Sequence, residues 1–282
     1  MSPASADPIL FDGYRYLESP RWHEGALWFA DCLERRVMRM APGAAPEPVF
    51  SVEDVPSGLG FLPGGDVLVV GMLSRKLLRW DGSGVRAHGR LDEVARGTPN
   101  DMVVAPDGRA YVGDMGFAMG SEDRDKPGSI VRVDPDGTTA RVADDVGNPN
   151  GLAIDAARAH LFVAESTANR LARYDLGADG SLSGLVHLAE FPGRYPDGIC
   201  VDAEGSIWVA MFTGGEIVRF ASDGAVQERI ELVEPCGVAC VLGDPDRRTL
   251  YELVSDAGPM GAKPGNARIR TRRVEVPGAG WP

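Results

Sequence analysis

The chain has 282 residues and a net charge of −12, with 44% hydrophobic and 25% charged residues. A diffuse acidic surface repels phosphate backbones, which argues against nucleic acid as a partner. No apolar run approaches the roughly 20 residues of a membrane-spanning helix, which argues against a membrane protein, and 36 glycines and 21 prolines spread along the chain favour short strands joined by turns.

The opening stretch, MSPASADPILFDGY, lacks a basic segment followed by an apolar core, so no secretory signal is expected. Six related segments follow, beginning at Glu18 (ESPRWHEGALWFAD), Ser57 (SGLGFLPGGDVLVV), Asn100 (NDMVVAPDGRAYVGD), Asn150 (NGLAIDAARAHLFVAE), Asp197 (DGICVDAEGSIWVA) and Cys236 (CGVACVLGDPDRRTLYEL). Successive starts lie 39 to 50 residues apart. Each segment is a short strand, a turn rich in Gly, Asp and Pro, and an alternating strand such as Ala110–Asp114 or Ser206–Ala210. A third strand follows in RVMRM, KLLRW, SIVRVD, RLARYD and EIVRF. Four short antiparallel strands per unit at this spacing are the pattern of a β-propeller blade.

The expected fold is therefore all-β: a single six-bladed β-propeller over residues 1–282. The third strand of the last blade is predicted at RIRTRRVEV, residues 268–276, and its outer strand near PILFDGYRYL. Pairing the N- and C-terminal strands in this way closes the ring and removes an exposed edge. Trp22, Trp28, Trp80 and Trp208 are expected to pack between blades. Such a ring needs no partner, so a monomer or weak oligomer is expected.

Cys32, Cys200, Cys236 and Cys240 form no CxxC pair and suit small buried thiols in a reducing compartment, so the expected location is cytoplasmic. The four histidines form no HxH or HExxH group, which argues against a histidine-built metal centre. No GxSxG elbow supports a serine hydrolase.

In a propeller the first strand of each blade lines the central channel, so the six segment starts form a ring about the axis. Glu18, Asn100, Asn150 and Asp197 are oxygen donors of the kind hard divalent cations prefer. At any one copy Asn or Asp can be simply a turn residue. For the set, carboxylates gathered at one axis repel and are desolvated unless a cation lies between them, and Glu18 is no Asx-turn former.

ESPRW, PNDMVVAPDGRAYVGD, NGLAID…LFVAES…NRLARYD and PDGICVDAEGSIWVA together resemble the gluconolactonase/regucalcin (senescence marker protein) family of six-bladed propellers, over nearly the whole chain. The resemblance implies that Glu18, Asn150 and Asp197 hold one divalent metal ion, that Asp197 is the catalytic general base, and that Asn100 touches the substrate. Some members carry an Arg two positions before that Asn to grip a sugar-acid hydroxyl; here the position is Thr98, and Arg96 is the nearest Arg. The metal's identity stays open among Ca²⁺, Zn²⁺, Mg²⁺, Mn²⁺ and Fe²⁺.

Three protein ligands leave coordination positions for water and substrate, which fits hydrolysis of a small-molecule lactone or ester. The alternatives are a non-catalytic metal- or ligand-binding propeller and a non-hydrolytic relative using the same pocket. Residues 114–129, DMGFAMGSEDRDKPGS, are long for a hairpin, and serve either as a lid or as a tolerated insertion. Candidate substrate contacts are Asn100, Asp114, Met115, Phe117, Glu165 and Phe212. Asp114 and Glu165 face either the channel or the blade interior, and Met115 and Phe117 begin the long loop.

Overall fold

Alternation of apolar and polar residues between Gly- and Asp-rich turns produces six four-stranded antiparallel sheets. They are seen in a computed structural model that describes residues 8–124 and 126–280. The first seven residues, which open the stretch read as lacking a secretory signal, and Asp125 of the charged run in the long loop lie outside the described residues. No helix among the described residues is long and apolar enough to cross a membrane.

The innermost strands are Leu17–His23, Pro56–Phe61, Pro99–Val104, Pro149–Ile154, Pro196–Val201 and Cys236–Gly243, for blades 1 to 6 in turn. Proline is tolerated at the first residue of four of them because that position needs no ladder donor. In blades 1 to 5 the chain runs outward through strands two, three and four. Blade 6 is completed by Ile9–Tyr14, which pairs antiparallel with Ala267–Arg273, so the chain ends close the ring. The third strand of that blade is shorter than the predicted 268–276. Beyond Arg273 the chain leaves the sheet, and Gly278 forms a bridge with Asp202 of blade 5.

One buried apolar cluster fills each junction between neighbouring blades. Blades 6 and 1 meet through Trp22, Phe29, Tyr251 and Leu253, and blades 1 and 2 through Trp28, Phe61 and Val69. Leu68, Val70, Met102 and Val112 join blades 2 and 3; Val103, Tyr111, Leu152 and Leu161 join 3 and 4. Phe162, Ile199 and Val209 fill the next junction, and Trp208, Cys240 and Leu250 the last. Trp22 stacks on Tyr251 with centroids 5.7 Å apart, and Trp80 stacks on Phe50 across blades at 4.9 Å. The four tryptophans thus occupy the inter-blade positions expected of them.

The feature that positions the site is a register slip in every innermost strand. It falls between Glu18 and Arg21, Pro56 and Leu59, Pro99 and Met102, Pro149 and Leu152, Pro196 and Ile199, and Gly237 and Ala239. Such a bulge leaves a residue unpaired and re-aims its side chain. The six segment starts lie at or beside these bulges, at the end of the strand that faces the channel mouth.

Candidate metal and active site

The residue after each segment start explains how the strands come so close. A Cβ on Gly151 would lie 2.4 Å from the carbonyl oxygen of Asp197, and one on Gly198 would lie 2.4 Å from Cβ of Ala239. On Gly58 it would lie 2.6 Å from the backbone nitrogen of Met102. Glycine is therefore required at these three positions, where the neighbouring innermost strand approaches closely.

Blades 1 and 3 have Ser19 and Asp101 in place of this glycine. Ser19 adopts φ 49°, and its hydroxyl donates to Asp101 Oδ1 at 2.8 Å. Arg21 Nη2 donates to the same oxygen at 2.8 Å, in an ion pair whose side chains are 7% and 5% exposed. The link joins the innermost strands of blades 1 and 3. It is a compensated buried charge pair.

At the segment starts lies a cavity of about 520 Å³, within the range of small-molecule sites. Glu18, Ser57, Asn100, Asn150 and Asp197 all line it. Asp197 is 2% exposed and Asn100 8%. Burial raises the carboxyl pKa of Glu18 well above the ordinary range, and the charges of Asp197 and Asp101 raise it further. Asp197 is raised well above its range by burial first and by Asp101 second, with the Asn150 amide offsetting part of this. Beside them, burial and then the charge of Glu18 keep the thiol of Cys32 protonated. Tyr16 likewise stays a phenol, through burial and then the charges of Glu18 and Asp197.

Hydrogen bonds fix the two amides. Ser166 Oγ donates to the carbonyl oxygen of Pro196 at 2.6 Å and accepts from Asn150 Nδ2 at 3.3 Å. That assigns the nitrogen end of the amide and leaves Asn150 Oδ1 available to a cation. Ser57 Oγ donates to Asn100 Oδ1 at 3.2 Å, which leaves Asn100 Nδ2 as a donor for a ligand.

The donor set fits a hard divalent cation. Asp197 Oδ1 is buried with no hydrogen-bond partner, a costly condition for a carboxylate oxygen unless a positive group meets it. Among the described residues no group of three or more His, Cys, Asp or Glu gathers as a metal site. An ion here would be held by two carboxylates and the Asn150 amide oxygen, a hard donor set beside which the Cys32 thiol stays protonated.

Met115, Phe117 and Phe212 line the cavity. Asp114 and Glu165 do not, and the expectation of substrate contact is corrected for both. Asp114 accepts from the backbone N–H groups of Arg96 and Gly97, both at 2.7 Å, and from the Ser129 hydroxyl at 2.8 Å. Glu165 accepts from Gly147 N at 2.8 Å and from Arg170 at 2.8 and 3.0 Å. Both end a second strand, where Asp31 of blade 1 similarly binds Arg36 at 2.8 and 2.9 Å. The acid at this repeat position braces the blade.

Arg96 pairs with Asp144 at 2.8 Å and stays outside the cavity lining, as expected of a surface charge. Thr98 staples the long loop: its hydroxyl accepts from Met119 N at 2.9 Å, and its backbone bonds Phe117 O and Met115 N. Sequence reasoning missed Tyr16, Arg124, Asn148, Ser166 and Met260 as lining residues. A usable signal was present, because all six loops between second and third strands reach the mouth. Aligning the segments past their second strands would have exposed Cys32, Met72, Met115, Ser166, Phe212 and the 258–261 stretch together.

The family description SMP-30/Gluconolactonase/LRE-like region matches residues 17–255. Among curated proteins, a 6-deoxy-6-sulfogluconolactonase of Pseudomonas putida is 30% identical, over 94% of this chain and 93% of the relative. A regucalcin of Xenopus laevis is 30% identical over 89% and 87%, and a pentonolactonase of Haloferax volcanii 29% identical over 94% and 92%. Among solved structures, a luciferin-regenerating enzyme superposes with a TM-score of 0.82 at 22% identity, covering 95% of this chain and 94% of that one. A calcium-binding protein, regucalcin, from Agrobacterium tumefaciens superposes at 0.80 with 21% identity, covering 98% and 96%. These two share the fold.

Proposed function

The chain belongs to the SMP-30/gluconolactonase/LRE-like family, and from that premise we propose that it is a metal-dependent hydrolase that opens a small-molecule lactone. The observation that carries the reading is the buried, unpartnered Asp197 Oδ1 at the base of an axial cavity, with Glu18 and Asn150 also lining it. Relatives named gluconolactonase and pentonolactonase support the reaction class, and relatives named regucalcin support a divalent ion.

Glu18, Asn150 and Asp197 would hold the ion. A divalent cation there supplies Lewis-acid polarisation of the lactone carbonyl and makes water a better nucleophile. Asn100 Nδ2, freed by the Ser57 contact, donates a hydrogen bond to substrate oxygen. Asp197 accepts the proton that water loses as its oxygen adds to the carbonyl carbon. The ring C–O bond then breaks, the proton passes to the departing ring oxygen, and a hydroxy acid results. Phe117 and Phe212 supply apolar wall to the cavity.

The test is acid release from a lactone panel by metal-depleted and metal-reconstituted protein, with Asn150→Ala alongside the wild type. The expected result is turnover only in the reconstituted wild type. Equal turnover by rigorously metal-depleted protein would overturn the metal's role. Absence of turnover on every lactone and ester, with an ion bound, would leave a binding propeller.

A further inference from the structure

We propose that the substrate carries an apolar substituent, an alkyl or aryl group, seated beneath a bridge between two loops from opposite blades. The proposal rests on the lactonase reading above and concerns the part of the substrate that does not react.

The bridge joins blade 3 to blade 6, which face each other across the ring. A methyl group at Gly120, in the 114–129 loop, would lie 3.5 Å from Cε of Met260 in the 256–266 loop. A methyl group at Gly258 of the same second loop would lie 3.0 Å from Cζ of Phe212, in blade 5. The two long loops therefore approach each other over the mouth, and neither is an isolated insertion. Thr98 fixes the base of the first one through its hydroxyl and its backbone.

The cavity beneath is divided by chemistry. Met72, Met115, Phe117, Met119, Phe212 and Met260 face it from blades 2, 3, 5 and 6. Asn148, Asn150, Ser166, Thr167 and Asn169 face it from blade 4. Several of these polar groups are already engaged: Ser166 bonds Pro196 and Asn150, and Asn169 Nδ2 donates to the Arg194 carbonyl oxygen at 2.6 Å. Arg124 is the one cation among the described lining residues and is exposed at the outer edge.

A polyhydroxylated ring filling this space would bury hydroxyls against methionine and phenylalanine, which offer no strong partner. A lactone head toward Glu18, Asn150 and Asp197, with an apolar body under the bridge, satisfies both halves. Met260, 75% exposed, is an adaptable side chain that such a body would cover. The volume of about 520 Å³ accommodates a head and a substituent together.

The experiment measures kcat/KM for γ-lactones whose alkyl substituent grows from methyl to hexyl, with gluconolactone in parallel. Binding of the matching γ-lactams, which resist hydrolysis, is measured by calorimetry on the same metal-loaded protein. Each methylene that enters the apolar wall should raise kcat/KM and lactam affinity about fourfold until the space is full. The Met119→Gln, Met260→Gln double variant should flatten both slopes, and both residues lie at the mouth, where folding tolerates the change. Lactam affinity independent of chain length, or a gluconolactone kcat/KM above that of the hexyl lactone, would overturn the proposal. Chain-length-dependent lactam binding without turnover of any lactone would sustain the proposal and overturn the lactonase reading.

Discussion

Replacing Gly151 with alanine tests how the ring sets the ligand positions. The new Cβ would sit 2.4 Å from the Asp197 carbonyl oxygen and 2.7 Å from the Ile199 nitrogen, both backbone atoms of the next blade. Neither can rotate away as a side-chain tip would, so the innermost strands of blades 4 and 5 must separate. Overpacking of this kind costs about 1–3 kcal/mol. With an unfolding entropy of roughly 2.1 cal/mol/K per residue over 282 residues, that is a Tm loss of about 2–5 °C. The same separation moves Asn150 away from Asp197, and divalent-ion affinity should fall by about tenfold or more. The assays are calorimetric melting and ion titration. Gly64→Ala is the control, because nothing lies within 4 Å of its added Cβ, and it should change stability by less than about 0.5 kcal/mol. Unchanged melting and unchanged ion affinity in Gly151→Ala would refute the contact-limited geometry.

Three other substitutions or conditions follow from the same site. Asp197→Asn should keep the circular dichroism spectrum and lower turnover by about 10²–10⁴, while raising the melting temperature of the metal-free protein by removing a buried charge; a variant retaining wild-type kcat disproves the role of Asp197. The raised carboxyl pKa values of Glu18 and Asp197 fix the sign of a pH effect. Their stabilisation of the metal-free fold is complete below the ordinary values of 4.5 and 3.8 and is lost as pH rises through the raised ones. Metal-free Tm should therefore decline from acid toward neutral pH while the gap to metal-loaded protein widens, and a gap that narrows would contradict it. Asp101→Ala strands the buried Arg21 guanidinium and should destabilise by about 3–5 kcal/mol; urea unfolding with an unshifted midpoint would show the pair to be dispensable.

The ring was legible because one local motif recurs: a Pro, a polar residue and a Gly open the innermost strands of blades 2, 4 and 5, and blades 3 and 6 keep two of the three. The Gly is dictated by strand contact, and the bulge beside it turns the polar side chain to the axis, so Glu18, Asn150 and Asp197 could be aligned without coordinates. The closure by Ile9–Tyr14 followed from the missing strand of the last segment. Asp114 and Glu165 misled because their chemistry suits a site, whereas their position is the brace that Asp31 also occupies. The Arg21–Asp101 pair could not be read, since its partners are 80 residues apart and come from blades 1 and 3, which no local pattern links. The contribution of Met260 was hidden for a related reason. Loops vary in length outside the repeat, and their meeting across the mouth depends on which blades stand opposite.

Titration of metal-depleted protein with a divalent ion, with lactone hydrolysis and bound ion recorded in the same samples, is the most direct measurement of the central claim. Activity should rise from background in proportion to ion bound, saturate at about one ion per chain, and be absent in Glu18→Gln at the same ion concentrations. Lactone hydrolysis at full rate before any ion binds, or saturation of the ion site with no gain in activity, would contradict it.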